Sequence, residues 1–227
     1  MAVGYNPSIV SDGLVFFLDP ANTRCYSGSG NTANGLIGGI NGTLVNGVGF
    51  SSANNGSFFF DGTNDYINTN QYSSSIGLTS SDFTICLWTK IVDNNQFNAF
   101  VSRTSSNLPA PFDMYTHTAD RKMRILVGNT SAWVTLQSNN QLPLAWTYLT
   151  FTLNSILASL YYNAVLDIST NMATVRIESA NPIIIGTRDD NFTHMKGNIG
   201  QVQIYNRALS QQEILQNFNA TRFRYGI

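Results

Sequence analysis

Short segments of alternating apolar and polar residues make up most of this chain, and Gly, Asn and Ser separate them roughly every eight to fifteen residues. In residues 83–91, both faces of the predicted strand carry apolar side chains. One face has Phe83, Ile85, Leu87 and Ile91, and the other has Cys86 and Trp88. A second strand, 146–153, places Leu149, Phe151 and Leu153 on one face. Strands that are apolar on both faces are expected inside a layered β-protein.

The same alternation predicts roughly a dozen further strands, and Asn-Gly dipeptides, which favour tight turns, separate several of them. They cover residues 13–18, 43–48, 57–60, 65–69, 98–103, 112–116, 122–128, 132–137, 157–163, 172–178, 183–187 and 199–205. Strands do not alternate with helices, so a parallel sheet is not expected. The pattern predicts an all-β fold of two antiparallel sheets packed face to face.

One short helix is predicted near the end of the chain, over residues 211–219. Ser210 and Glu213 have the spacing of a capping box, in which each side chain bonds to the backbone N–H of the other residue. Leu209 and Ile214 flank this cap as a hydrophobic staple. We expect the helix to pack on an edge of the sandwich.

The composition excludes several classes of protein. The 227 residues include 12 Lys or Arg and 13 Asp or Glu, which gives a net charge of -1. A nucleic-acid binder needs a basic face, and this charge balance does not supply one. The apolar fraction of 43% is too high for a disordered chain. The first residues have no cationic region and no apolar run longer than Leu14–Leu18, so neither a signal peptide nor membrane insertion is expected.

The two cysteines and two histidines give no strong signal for a transition metal. Cys25 and Cys86 are expected to be buried thiols, with a disulfide between them as the alternative. His117 and His194 are too far apart in sequence for the local spacing of a zinc site.

Four stretches resemble motifs of the laminin-G-like, concanavalin-A-like jelly-roll superfamily. They are residues 58–67 (FFFDGTNDYI), 82–88 (DFTICLW), 146–151 (WTYLTF) and 197–214 (GNIGQVQIYNRALSQQEI). The resemblance implies a two-sheet antiparallel jelly-roll sandwich with one short C-terminal helix. The chain is then predicted to consist of an N-terminal arm at 1–10 before the first strand, a laminin-G-like sandwich at 11–219, and a C-terminal arm at 220–227 after the helix. The arms are expected either to dock on another subunit or to cover the edges of the sandwich.

The opening of the chain resembles stand-alone members of this superfamily that tailed bacteriophages encode. The resemblance rests on residues 12–22 (DGLVFFLDPAN) and 26–30 (YSGSG), although residues 31–39 (NTANGLIGG) replace the usual W-DlSG stretch. Those members serve as virion surface proteins, as head decorations, fibres or other adhesins. The resemblance therefore implies a protein that is made in the host cytoplasm and lies on the virion surface. Its implied partners are other capsid or tail proteins, further copies of itself, and a cell-surface glycan.

No catalytic motif is found in the sequence. Retaining glycosidases need two carboxylates about 5 Å apart, and the hydrolases that this fold resembles supply the pair in an E-x-D-x-E strand. This chain has only Glu178 and Glu213, and neither lies in that pattern. The G-x-S-x-G and G-x-x-x-x-G-K motifs are also missing. We expect no catalytic activity, while a pair of aspartates brought together by folding stays open.

Calcium is the one metal that the loops suggest. Ca²⁺ prefers several oxygen ligands, and members of the superfamily often bind it on a rim loop, which Asp189 and Asp190 with Asn191 resemble. Residues 61–65 (DGTND) form a second oxygen-rich loop. Asp and Asn also cap turns through their own side chains, which is the alternative explanation for both loops. Asp189 and Asp190 are the predicted calcium ligands.

Glycan binding by loops at the rim of the sandwich is the molecular function that the resemblance favours. Sugars stack their C–H faces on aromatic rings, while polar side chains hold the hydroxyl groups. The predicted glycan-binding residues, which lie at predicted strand ends or in loops, are Tyr115, His117, Trp133, Asn191 and His194. Trp88 and Trp146 are assigned to the structure, because they lie within strands of alternating pattern.

The resemblance thus predicts a non-catalytic phage virion protein, either a capsid decoration or a fibre or tail adhesin, with weak binding to a glycan or host surface. Two alternatives stay open. One is a free carbohydrate-binding lectin module, and the other is a depolymerase that degrades host polysaccharide.

Overall fold

The computed structural model describes residues 7–72, 74–76, 78, 82–92, 96–103, 112–128, 133–172, 182–188 and 193–227. Within these ranges the chain forms two eight-stranded antiparallel sheets and one α-helix, which confirms the predicted all-β sandwich. The strands are β1 (Leu14–Leu18), β2 (Thr32–Ala33), β3 (Gly42–Val45), β4 (Gly49–Ser51), β5 (Ser57–Asp61), β6 (Tyr66–Asn68), β7 (Phe83–Ile91), β8 (Asn98–Ser102), β9 (Phe112–Thr116), β10 (Lys122–Gly128), β11 (Trp133–Gln141), β12 (Thr147–Asn154), β13 (Leu157–Tyr162), β14 (Val165–Asn171), β15 (Ile184–Ile185) and β16 (Lys196–Tyr205). Helix α1 spans Gln211–Thr221, and short 3₁₀ turns span Ala53–Asn55, Ser74–Ile76 and Arg222–Tyr225.

Each sheet brings together strands that are distant in sequence. The first sheet has the order β14-β13-β12-β7-β16-β5-β4, with β1 also paired to β16. β16 pairs with β7 along one edge, and its other edge pairs first with β5 and then with β1. The second sheet has the order β11-β10-β9-β8-β15-β6-β3-β2. Such nonlocal pairing is the jelly-roll arrangement of a two-layer β-sandwich.

The main hydrophobic core lies between the two sheets. From the first sheet it receives the inner faces of β7 and β12, with Phe83, Ile85, Leu87, Leu149, Phe151 and Leu153. From the second sheet it receives Phe112, Met114, Met123 and Ile125. These side chains are fully buried, and the faces predicted for β7 and β12 from their alternation are confirmed.

A second apolar cluster covers the outer face of the first sheet, and we call it the outer cluster. Its centre is Trp88, whose ring stacks on Tyr225 at a centroid distance of 4.2 Å and on Phe218 at 5.8 Å. The Trp88 Nε1–H donates to Thr221 Oγ1 at 2.8 Å. Helix α1 therefore packs on the outer face of the first sheet, and the prediction that it packs on an edge is wrong. The reason is that β7 and its neighbour β12 carry apolar side chains on that face, which need cover.

Both terminal segments pack on this same outer face. The backbone N–H of Val10 donates to Asn217 Oδ1 at 2.7 Å, and its carbonyl accepts from the Tyr205 hydroxyl at 3.0 Å. Residues 220–225, which the resemblance assigns to a C-terminal arm, continue α1 into the last 3₁₀ turn, and the Tyr225 side chain is buried. The Arg224 guanidinium pairs with Asp19 at 2.8 Å.

The predicted helix cap is confirmed. Ser210 Oγ accepts from the Glu213 backbone N–H at 3.3 Å, and the Glu213 carboxylate accepts from the Ser210 backbone N–H at 2.8 Å. Arg207 also donates to this carboxylate at 2.6 Å, and this bond is the main cause that lowers the pKa of Glu213 to about 2. Leu209 and Ile214 are both buried at the helix start, as a hydrophobic staple requires.

The thiols of Cys25 and Cys86 are free and buried, so the disulfide alternative is wrong. Cys25 lies in the main core and Cys86 in the outer cluster, on opposite faces of the first sheet's layer. Burial raises the pKa of each thiol to about 11. Among the described residues, no helix has the length and apolarity to cross a membrane.

The sequence pattern misses three strands: β2, β4 and β14. The first two are only two and three residues long. β14 (Val165–Asn171) lies at the edge of its sheet with most residues exposed, and its pairing shifts register between Leu160 and Tyr161 of β13. Of the predicted strand 172–178, only Met172 lies within the described ranges, and it follows β14 without being part of a strand. Residues 173–178 lie outside those ranges.

Candidate functional site

The outer face of the second sheet presents rows of side chains that cross strands β8 to β11. Because side chains alternate along a strand, the neighbours of the core residues Met114 and Ile125 point outward. Tyr115 on β9 stands opposite Ala99 on β8 and Arg124 on β10. One rung further along, the His117 backbone N–H donates to the Lys122 carbonyl at 3.2 Å. This face carries the residues from which the candidate site is built.

Three aromatic rings and one guanidinium group form a cluster on this face, and we call it the aromatic patch. It consists of Phe97, Tyr115, His117 and Arg188. The Phe97 ring lies 6.1 Å from the Tyr115 ring and 4.9 Å from the His117 ring between centroids, the latter edge to face. All four residues are partly exposed, so the patch is accessible from solvent.

Arg188 is held above the patch by an ion pair. Its Nε contacts Oδ2 of Asp113, whose side chain is 0% exposed, while the Arg188 side chain is 22% exposed. The guanidinium carbon lies 5.1 Å from the centre of the Tyr115 ring, within the range of a cation–π contact. Burial is the main cause that raises the pKa of the Tyr115 hydroxyl, which is therefore a neutral hydrogen-bonding group at neutral pH.

A second arginine beside the patch is also paired. Arg124 donates to both oxygens of Asp120, at 3.2 and 3.1 Å. This pairing is the main cause that lowers the pKa of Asp120, and the Lys122 backbone N–H adds a further bond at 3.0 Å. Arg121 in the same turn donates to Gln141 Oε1 at 2.7 Å. The turn between β9 and β10 is thus fixed by its own polar contacts.

The structure brings Tyr115 and His117 together, through their contacts with Phe97. His194 is buried, and its Nδ1 lies 3.0 Å from Thr187 Oγ1. Thr187 and His194 form a β-bridge, so His194 holds the loop that carries Arg188.

The other predicted site residues are placed differently. The backbone of Trp133 pairs with Gly128, four residues along β10 from Arg124 and hence about 13 Å from the Tyr115 rung. Asn191, Asp189 and Asp190 lie outside the described residues. Their roles in glycan and calcium binding stay predictions.

The oxygen-rich loop at 61–65 is explained by turn chemistry. Asp61 Oδ1 accepts from the Thr63 backbone N–H at 2.7 Å, and Asp65 Oδ2 accepts from the Asp61 N–H at 3.0 Å. Gln96 Nε2 donates to the Gly62 carbonyl at 2.6 Å. Asp65 is 2% exposed, and burial is the main cause that raises its pKa. Within the described ranges, no group of three or more His, Cys, Asp or Glu side chains gathers around a metal-sized space.

Sequence reasoning misses three members of the site: Phe97, Asp113 and Arg188. Asp113 was visible in principle, because residues 113, 115 and 117 follow a period of two and must share a face of β9. Phe97 and Arg188 come from other segments. Phe97 directly precedes β8, which pairs with β9, and Arg188 follows Thr187, which bridges to His194.

The sequence that forms this fold matches a known family. Residues 61–215 match the family model Laminin_G_3, described as the Concanavalin A-like lectin/glucanases superfamily. The match covers more than half of the chain, and the protein belongs to this family. Among curated proteins, none matches the sequence significantly.

Solved structures with the same fold include proteins of several kinds. The binding domain of Paraclostridial Mosquitocidal Protein 1 is similar with a TM-score of 0.72 and 18% identity, over 92% of this chain and 52% of that one. Trypanosoma rangeli sialidase in complex with sialic acid has a TM-score of 0.72 and 15% identity, over 99% of this chain and 35% of that one. Domain 4 of AbnA, a GH43 extracellular arabinanase from Geobacillus stearothermophilus, in complex with arabinotriose, has a TM-score of 0.69 and 17% identity, over 90% and 97%. The chain thus spans about half of the mosquitocidal binding domain and a third of the sialidase, and at these identities the likeness is one of fold.

Proposed function

We propose that this chain is a non-catalytic carbohydrate-binding domain that holds a sugar on the aromatic patch. The observation that carries the proposal is the arrangement of Phe97, Tyr115 and His117 around the guanidinium of Arg188 on one accessible face. The faces of aromatic rings carry partial negative charge, and the C–H bonds of a sugar ring carry partial positive charge. Rings that stack a sugar beside donors that hold its hydroxyls are a suitable combination for glycan binding.

The carboxylates beside the patch support a binding role over hydrolysis. A glycosidase needs a protonated acid with a raised pKa and a second carboxylate close to the scissile bond. Asp113 is fully buried under Arg188, and Arg124 lowers the pKa of Asp120. Asp113 is thus enclosed beneath an arginine and the pKa of Asp120 is not raised, so neither group is suited to act as the protonated acid that hydrolysis needs. A domain of this fold from the AbnA arabinanase, solved with arabinotriose, is compatible with the proposal.

Replacing Tyr115 or Phe97 with alanine is expected to weaken glycan binding about fivefold to thirtyfold, because each change removes a stacking ring worth about 1 to 2 kcal/mol. The measurement is a glycan array with the purified chain, followed by calorimetry on the best ligands. Phe223→Ala serves as the control, since Phe223 is an aromatic residue that is 59% exposed on the covered face of the other sheet. Failure of the wild-type chain to bind any glycan, or equal losses in all three variants, would contradict the proposal.

We also propose that the domain acts on the surface of a bacteriophage virion, as a capsid decoration or as a fibre or tail adhesin. The resemblance of residues 12–22 and 26–30 to stand-alone phage members supports this role. Identical copies that each carry a large net charge would repel one another when densely packed. The net charge of this chain is only -1, which is compatible with such packing. A free lectin module is the second candidate, and the family membership is compatible with it.

Mass spectrometry of purified particles from the source's phage fraction separates these two candidates. We expect the chain at hundreds of copies relative to the major capsid protein if it decorates the head, and at a few to tens if it is a fibre or adhesin. Its absence from the particles would leave the free lectin module.

A further inference from the structure

The charged side chains that face the aromatic patch differ in whether they have a partner of opposite charge. Arg188 is paired with the buried carboxylate of Asp113, and Arg124 is paired with both oxygens of Asp120. A ligand carboxylate that took either arginine would have to displace an existing partner. For Arg188 this would disrupt an ion pair with a fully buried carboxylate, which is unfavourable. Neither arginine is therefore the expected partner of an acidic ligand.

Lys122 is different. It points to the same face as Arg124, because Met123 and Ile125 between and beyond them fill the core. The backbone bond between His117 and Lys122 places the two residues side by side on adjacent strands. Within the described part of the chain, Lys122 forms no ion pair, and it is partly exposed. The ammonium group of Lys122 is thus a cation at the margin of the aromatic patch that has no charged partner among the described residues.

We infer that the aromatic patch binds an acidic sugar, with the sugar ring on Phe97, Tyr115 and His117 and its carboxylate at the ammonium of Lys122. This inference rests on the proposed function and names the class of ligand for the same site. The geometry favours this ligand because His117, one of the stacking rings, and Lys122 lie side by side on adjacent strands, which are about 5 Å apart. Among the described residues, the charges of Arg124 and Arg188 at the patch are matched by those of Asp120 and Asp113, so Lys122 adds a local excess of positive charge there.

The test compares ligands that differ only in charge. Trigalacturonate and its methyl ester share one sugar skeleton, and sialyllactose with its methyl ester gives a second such pair. We expect each acidic sugar that fits the patch to bind more tightly than its neutral partner, by about threefold to tenfold at low salt, and the difference to shrink as salt rises. Preference for trigalacturonate would identify an internal uronate of a polysaccharide, and preference for sialyllactose a terminal sialic acid. Either result supports an acidic ligand.

A matched pair of variants locates the effect. Lys122→Gln is expected to bring the affinity for the acidic sugar down to that of its neutral partner, and to leave the neutral partner's affinity unchanged. Lys90→Gln is the control, because Lys90 is exposed on β7 of the other sheet. Tyr115→Ala is expected to weaken both ligands of a pair alike. Equal affinity for the charged and neutral sugars, or no effect of Lys122→Gln, overturns the inference and leaves the proposed function standing. If the chain binds none of the four ligands and no glycan on a wider array, both the inference and the proposed function are overturned.

Discussion

Replacing Trp88 with alanine is expected to destabilise the fold by about 3 to 5 kcal/mol, the usual cost of removing a buried aromatic side chain. Trp88 is 0% exposed, stacks on both Phe218 and Tyr225, and donates its only N–H to Thr221. The alanine variant leaves a cavity under α1 and removes the bond to Thr221. A domain of this size loses about 2 to 4 °C per kcal/mol, so the melting temperature should fall by about 6 to 20 °C.

Thermal and urea unfolding of the purified variants measure this effect. Phe223→Ala is the matched control, because Phe223 lies only five residues from Phe218 but is 59% exposed. Its cost is expected to stay within about 0.5 kcal/mol. A loss of stability in Trp88→Ala no larger than in Phe223→Ala would show that the outer cluster does not stabilise the sandwich.

Gly200→Ala is expected to cost about 2 to 3 kcal/mol, at the upper end of overpacking effects. A Cβ atom at Gly200 would lie 2.1 Å from the Tyr225 hydroxyl oxygen and 2.8 Å from the ring carbon that carries it. Tyr225 is buried and its ring stacks on Trp88, so it has no free space into which to move. The substitution should therefore lift the last 3₁₀ turn off the first sheet.

The matched control is Gly49→Ala on β4, where the nearest side-chain atom to the added Cβ is Phe59 Cδ1 at 3.5 Å, an ordinary contact. Its effect should be close to zero or slightly stabilising, because alanine loses less backbone entropy than glycine. A double-mutant cycle sharpens the test: once Tyr225→Ala has removed the ring, Gly200→Ala should cost less than about 0.5 kcal/mol. An equal cost with and without the Tyr225 ring would mean that the strain arises elsewhere.

How much of this fold is visible in the sequence depends on how strongly each element is buried. β7 and β12 were predictable because apolar residues occupy both faces, and α1 was predictable because its capping box and staple are local signals. The position of α1 was predicted wrongly, although Trp88 and Cys86 on the outer face of β7 are apolar side chains that need cover. β14 was not predictable, because an exposed edge strand with a register shift has no clean alternation.

The candidate site was only partly predictable for a related reason. Tyr115 and His117 share one face of one strand, so their proximity follows from the period of a β-strand. Phe97 and Arg188 reach the patch through pairing between distant segments, and the pairing order of strands is set by the packing of the whole sandwich. The pairing of Arg124 with Asp120 likewise depends on side-chain geometry in the β9–β10 turn.

The two outer faces of the sandwich differ in what lies on them. Residues 8–10 and the chain's last helical turns are bonded to one another on the outer face of the first sheet, through Gln216 to Ser8 and Asn217 to Val10. The aromatic patch lies on the outer face of the second sheet, on the other side of the main core. Any attachment made through the two terminal segments therefore leaves the patch directed away from the point of attachment. The domain therefore has two different outer faces, one covered by its terminal segments and one that carries the aromatic patch, with the main core between them.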